Sequence, residues 1–151
     1  MTEKPILLVE DNPDDEALTI RAFRKNSIST EIVVARDGVE ALDYLFGTGQ
    51  QAFAGPLAPQ LVLLDLNLPR IDGLEVLRRV RADRNARMLP IVVLTSSRED
   101  HDILTGYELG CNSYVRKPIA FDAFLEATRR LGEYWLNLNE CPMGRAELRG
   151  A

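Results

Sequence analysis

The sequence predicts a doubly wound α/β domain, a five-stranded parallel sheet with helices on both faces. Two observations carry that expectation. Five short apolar runs alternate along the chain with segments of helical periodicity. Four of those runs end in reactive polar residues: Glu10 and Asp11, Asp65, Thr95, and Lys117. In such a sheet ligands gather beyond the carboxyl ends of the strands, where the strand order reverses.

The first strand covers roughly residues 5–10. Asn12 then caps a helix with Pro13 at its first position and Asp14, Asp15 and Glu16 in its first turn, where acids complement the helix dipole. Leu18, Ala22 and Phe23 give that helix an apolar side. The second strand spans about 31–35 and ends in Arg36 and Asp37, a plain cap arrangement that suits an edge strand beside the first. Asp37 with Glu40 has capping-box spacing for a helix bearing Val39, Leu42 and Phe46. Residues 47–59 read as a long loop. The third strand, 61–65, is apolar until Asp65. Asp72 and Glu75 repeat the cap spacing before Leu74, Val76, Leu77 and Val80, and Arg78, Arg79, Arg81 and Arg84 form the wet side of that helix. The fourth strand is 91–95, with Ser97 and Asp100 as caps for a helix containing Ile103, Leu104 and Tyr107. A fifth strand covers about 113–116, and a last helix runs from about Phe121 towards Leu138. The domain therefore spans 4–138, and 139–151 reads as a flexible tail without periodicity.

With 151 residues, 46% of them hydrophobic, the chain suits one domain with a full core. Its 18 Lys and Arg against 23 Asp and Glu give a net charge of −5, which argues against a general nucleic-acid binder. No apolar stretch is long enough for a membrane span, no signal core opens the chain, and Cys111 and Cys141 lack metal-ligand spacing. A cytoplasmic protein with reduced thiols is the expectation.

Glu10, Asp11 and Asp65 converge if the first and third strands are neighbours. Three packed carboxylates stay ionised only beside a cation. Hard oxygen donors without His or Cys favour Mg2+. A carboxylate in that setting can attack phosphorus and become an aspartyl phosphate. Lys117 and Thr95 supply positive charge and a hydrogen-bond donor for the new group.

The runs Val9-Glu10-Asp11-Asn12, Leu64-Asp65-Leu66-Asn67-Leu68-Pro69, Asp72-Gly73, Thr95-Ser96 and Lys117-Pro118 resemble those of bacterial response-regulator receiver domains over roughly residues 4–138. The resemblance implies a flavodoxin-like strand order 2-1-3-4-5. It implies that Asp65 is the phosphoacceptor for a sensor histidine kinase. Asp11, Asp65 and the backbone carbonyl of Asn67 would bind Mg2+, and Glu10 would hold its water shell. Lys117 would pair with the phosphoryl group, Thr95 and Tyr114 would act as the switch pair, and the bond preceding Pro118 would be cis. Asn67 and Ser97 fall where the family tunes phosphoryl lifetime. The loop from Gly47 to Gln60, the run Asp11-Asn12-Pro13-Asp14-Asp15-Glu16 and the Tyr134-Trp135 ending are similar to those of single-domain regulators that partner bacterial phytochrome histidine kinases.

Asp14, Asp15 and Glu16 read as helix-dipole residues rather than ligands, and His101, among Arg98, Glu99, Asp100 and Asp102, as a solvated surface residue. No output domain is expected after residue 138, so output falls to partner binding, onward phosphotransfer or association. Tyr134, Trp135 and Leu138 offer apolar surface for a homodimer or partner through the last helix and its neighbouring strand. The competing functions are a flavin or nucleotide binder, an aspartate-based phosphatase and a non-phosphorylated receiver-like interaction module. The first lacks a phosphate-cradling loop after the first strand, and the second would want an Asp where Asn67 stands.

Overall fold

The computed structural model describes residues 3–142. The elements follow in the order β1 (Ile6–Val9), α1 (Pro13–Lys25), β2 (Ile32–Ala35), α2 (Gly38–Phe46), β3 (Leu61–Leu64), α3 (Gly73–Ala82), β4 (Ile91–Thr95), α4 (Asp100–Leu109), β5 (Ser113–Arg116) and α5 (Phe121–Gly132). A 3₁₀ turn at Gly49–Gln51 lies in the long loop, and a π-helical turn at Glu133–Leu138 continues α5. All strands are parallel in the order β2-β1-β3-β4-β5, as expected. The order reverses at β1, so its carboxyl end and that of β3 border the crevice where such folds place ligands.

Each central strand is apolar throughout because both its faces are covered. Leu7, Val9, Val62, Leu64, Ile91 and Val93 meet Ala41, Leu42, Leu45, Val76, Leu77 and Val80 of α2 and α3. The alternate positions Ile6, Leu8, Leu61, Leu63 and Val92 meet Phe23 of α1 together with Leu131 and Leu136 from the last helix and its π turn. Register leaves little choice, since a one-residue slip would exchange the two faces.

The helix starts follow the expected chemistry in three cases. The Asn12 side chain accepts from the amides of Asp14 and Asp15, Asp37 from Glu40, and Asp72 from Glu75. Glu75 does not complete a capping box; it bonds Arg78 and Arg79, which hold its pKa down at about 2. The fourth case differs. Neither Ser97 nor Asp100 caps α4, whose N-cap is Glu99 without a side-chain bond. Ser97 instead donates its hydroxyl to Asp102 at 2.5 Å.

Arg81 is not on the wet side of α3. Its guanidinium donates to the carbonyls of Gly110, Arg87 and Leu89 and to Asn112 Oδ1, at 2.7–2.9 Å. One cation thereby ties the end of α3 to the α3–β4 loop and to the turn between α4 and β5. The last helix also departs from a plain α-helix. Its π winding turns Leu136 into the core while Tyr134 and Leu138 stay exposed. Trp135 is half-buried, packed on the same core, with its ring edge-on to Tyr134 at 4.9 Å. Among the described residues no helix is long and apolar enough to cross a membrane. The expected tail lies almost wholly outside the described residues.

Candidate functional site

The parallel sheet delivers the polar residues that end β1, β3, β4 and β5 to one crevice. Glu10, Asp11 and Asp65 each present an oxygen, and these oxygens lie within 4.8 Å of one another. Glu10 and Asp65 are buried while Asp11 is exposed, so the cluster opens to solvent on the Asp11 side. Three oxygen donors with one open flank fit a hard divalent cation that keeps waters or takes a further oxygen ligand.

Asp65 lies just past β3, tied to β1 by its amide on the Val9 carbonyl. The residue is 7% exposed. Oδ1 accepts from Thr95 Oγ1 at 2.7 Å and, more distantly, from the Asn67 amide at 3.4 Å. Oδ2 faces Lys117 Nζ at 3.7 Å. The helix that follows can lie so close only because residue 73 is glycine. A Cβ on Gly73 would meet the Asp65 carbonyl oxygen at 2.3 Å.

Lys117 is anchored by its amide on the Thr95 carbonyl. Its ammonium bonds Glu10 and reaches Asp15 Oδ2 at 3.4 Å. Burial works against the charge on Lys117, but the bond to Glu10 and the nearby Asp65 outweigh it and hold its pKa above the ordinary value. Burial pushes the Glu10 carboxyl up from 4.5 to about 7, against the pull of Lys117. A proton or a cation therefore competes for the same buried oxygens.

Thr95 is wholly buried at the end of β4. Its hydroxyl oxygen also accepts from the Ser97 amide at 3.4 Å. Tyr114 is half-buried on β5, with its ring against Gly106 of α4 and its hydroxyl buried without a hydrogen-bond partner among the described residues. Burial raises its pKa.

The crevice thus brings together Glu10, Asp11, Asp65, Thr95 and Lys117, with Asn67 on the adjoining loop. Tyr134, Trp135 and Leu138 lie away from it, on the last helix. A groove of about 670 Å3 runs between the free edge of β5 and α5, lined among others by Val115, Ala127, Leu131, Tyr134 and Trp135. Asp15, expected only to complement the α1 dipole, also contributes to the site through Lys117. Its position four residues beyond Asp11, on the helix leaving the crevice, was the available signal. The cis expectation is overturned: the Lys117–Pro118 bond is trans, like every other peptide bond among the described residues. A prolyl bond prefers trans by about 0.5–1 kcal/mol, and the pattern Lys-Pro alone cannot reverse that preference.

The model for the response regulator receiver domain matches residues 6–129. The probable methanogenesis regulatory protein FilR2 of Methanothrix harundinacea is 41% identical over 137 residues, 91% of this chain and 86% of that protein. Response regulator Rcp1 of Synechocystis is 34% identical over 139 residues, 92% of this chain and 93% of that protein. Among solved structures, the phosphorylated cyanobacterial phytochrome response regulator RcpA superimposes with a TM-score of 0.85 at 38% identity, covering 93% of this chain and 99% of that one. The Mn2+-bound form of Rcp1 gives 0.84 at 34% identity, with 92% and 99% covered. The bacteriophytochrome response regulator AtBRR gives 0.72 at 52% identity, with 91% and 98% covered.

Proposed function

The chain belongs to the response regulator receiver domain family, and from that premise we propose that Asp65 is its phosphoacceptor and a bacterial phytochrome histidine kinase its donor. The observation that carries the chemistry is the convergence of Asp65, Lys117 and Thr95 beside the Glu10 and Asp11 carboxylates. In the proposed step an Asp65 carboxylate oxygen attacks the phosphorus of a phosphohistidine. The P–N bond breaks, its electron pair goes to the imidazole nitrogen, and that nitrogen takes a proton from solvent. Lys117 follows the charge onto the transferred group, and Thr95 donates to one of its oxygens in place of Asp65 Oδ1. Asp11, Asp65 and the Asn67 carbonyl would hold Mg2+, with Glu10 ordering its water, and the ion would neutralise charge on the transferring phosphoryl group. Hydrolysis of the acyl phosphate returns the free acid, so turnover is confined to the protein's own aspartyl phosphate.

The phytochrome assignment is supported by the similarity to RcpA and AtBRR. Movement of Thr95 with the phosphoryl group, coupled to Tyr114 on the neighbouring strand, would carry the signal to α4 and β5. Homodimerisation through the last helix and the free edge of β5 is supported by the exposed Tyr134 and Leu138 beside an apolar groove. A cytoplasmic site of action belongs to the same proposal.

The test is intact mass after incubation with acetyl phosphate and Mg2+. One phosphoryl group is expected on the wild type and none on Asp65→Asn or in the presence of chelator. If a phosphorylated phytochrome kinase also fails to label the wild type, a non-phosphorylated interaction module becomes the better reading.

A further inference from the structure

Arg70 has a left-handed backbone, φ +69°, in the loop between β3 and α3. The Ile71 amide bonds back to the Pro69 carbonyl at 2.8 Å, so Arg70 is the central residue of a γ-turn with positive φ, a rare and strained form. Glycine takes that conformation without penalty, so an arginine there points to work done by its side chain. The contact its guanidinium makes is with Asp37 Oδ2, at 3.5 Å. Asp37 is also the cap of α2, accepting the Glu40 amide on Oδ1 at 2.7 Å. The next residue, Gly38, presses on the same loop: a Cβ there would meet the Ile71 carbonyl oxygen at 1.9 Å.

The loop is therefore gripped from two sides. The N-terminus of α2 holds it through Arg70, Asp37 and Gly38. At its other end the Gly73 amide bonds the Leu66 carbonyl at 3.0 Å. Between these grips lies Asn67, whose carbonyl is the backbone ligand for the cation in the function proposed above. We infer that Arg70, Asp37 and Gly38 are positioning residues for the metal site. They fix the 66–72 loop so that the Asn67 carbonyl is set before the ion arrives. Preorganised ligands bind more tightly because less ordering remains to be done on binding.

This inference rests on the phosphoacceptor reading, and the wild-type and Asp65→Asn arms of the experiment tell the two apart. The experiment is Mn2+ and Mg2+ titration calorimetry on the metal-free full chain, with thermal melting of each variant alongside. Arg70→Ala keeps a side chain in the left-handed region but deletes the ion pair. If Arg70 were only a nearby charge, its loss would tighten cation binding. As a positioning residue its loss weakens binding by about threefold, the range of an exposed ion pair, with the melting temperature unchanged. Asp37→Asn keeps the α2 cap and gives the same loss, whereas Arg70→Lys retains most of the affinity. Gly38→Ala weakens binding further. Equal or tighter binding in Arg70→Ala overturns the inference. Failure of the wild type to bind either ion, or equal binding by Asp65→Asn, overturns the underlying functional reading instead.

Discussion

Thr95 Oγ1 donates to Asp65 Oδ1 at 2.7 Å, which joins the end of β4 to the carboxylate at the end of β3. Because Thr95 is wholly buried, that donor has no solvent alternative and follows whatever oxygen Asp65 offers. Thr95→Val keeps the shape and removes the donor. Phosphoryl uptake is expected to slow by about 100-fold without disappearing, the lower end of the cost of losing one oxyanion donor. The NMR signals of the Tyr114 ring should then stop responding to phosphorylation. A full response in Thr95→Val would remove Thr95 from the relay.

Lys117 carries the site's cation beside Asp65 and Glu10. Lys117→Met keeps most of the stem and deletes the charge. Uptake from acetyl phosphate is expected to fall by about a thousandfold, more than for Thr95→Val, because an ammonium on a phosphoryl oxygen outweighs a neutral hydroxyl. Single-turnover labelling of both variants under identical conditions checks the order.

Glu10 gives the metal-free protein a defined pH dependence. Its carboxyl stands at about 7 when folded against 4.5 ordinarily. Between those pH values the folded chain keeps a proton that the unfolded chain has released, so stability declines as pH rises through that window. The shift corresponds to a loss of about 3 kcal/mol, complete above pH 7. Glu10→Gln should flatten the slope in urea melts run with chelator. Metal affinity should change in the opposite direction, increasing as pH rises towards 7 because the proton must leave first.

Arg81 ties two loops to the end of α3 through four acceptors. Arg81→Met takes this donor from the Gly110, Arg87 and Leu89 carbonyls and is expected to cost about 2–4 kcal/mol. Phosphoryl uptake should be untouched, since none of the four acceptors belongs to the site. Chemical denaturation together with the labelling assay distinguishes this from a functional arginine.

Leu138 and Trp135 should behave differently despite their proximity. Leu138 is 73% exposed while Trp135 packs on the core. Leu138→Glu is expected to weaken self-association in sedimentation without lowering the melting temperature. Trp135→Ala should lower stability by about 2–3 kcal/mol whatever the oligomeric state. A Leu138→Glu chain that sediments like the wild type would argue against this surface as an interface.

The sheet and its site were legible because both arise from short-range patterns. Buried parallel strands are apolar throughout, and a charged residue ending such a run must face the crevice. The five strand positions and the convergence of Glu10, Asp65, Thr95 and Lys117 follow from that logic. What was not legible depends on partners distant in sequence. Arg81 looks solvated by helical period, and only the folded loops bring carbonyls 6, 8 and 29 residues away to its guanidinium. Ser97 has the composition of a cap, yet Asp102 takes its hydroxyl. The π turn after Gly132 depends on Leu136 finding the core, and the winding has no sequence signature of its own.

The strand order also bears on how the acids meet their counterion in folding. Pairing of β1 with β3 is enough to assemble the Glu10, Asp11 and Asp65 cluster. The balancing ammonium arrives only with β5, an edge strand two places further along the sheet. Any partly folded chain in which β5 is still undocked holds three acids without their internal counterion. A divalent ion present at that stage takes the part of Lys117. The metal should therefore speed refolding as well as slow unfolding, moving both limbs of the chevron rather than the unfolding limb alone.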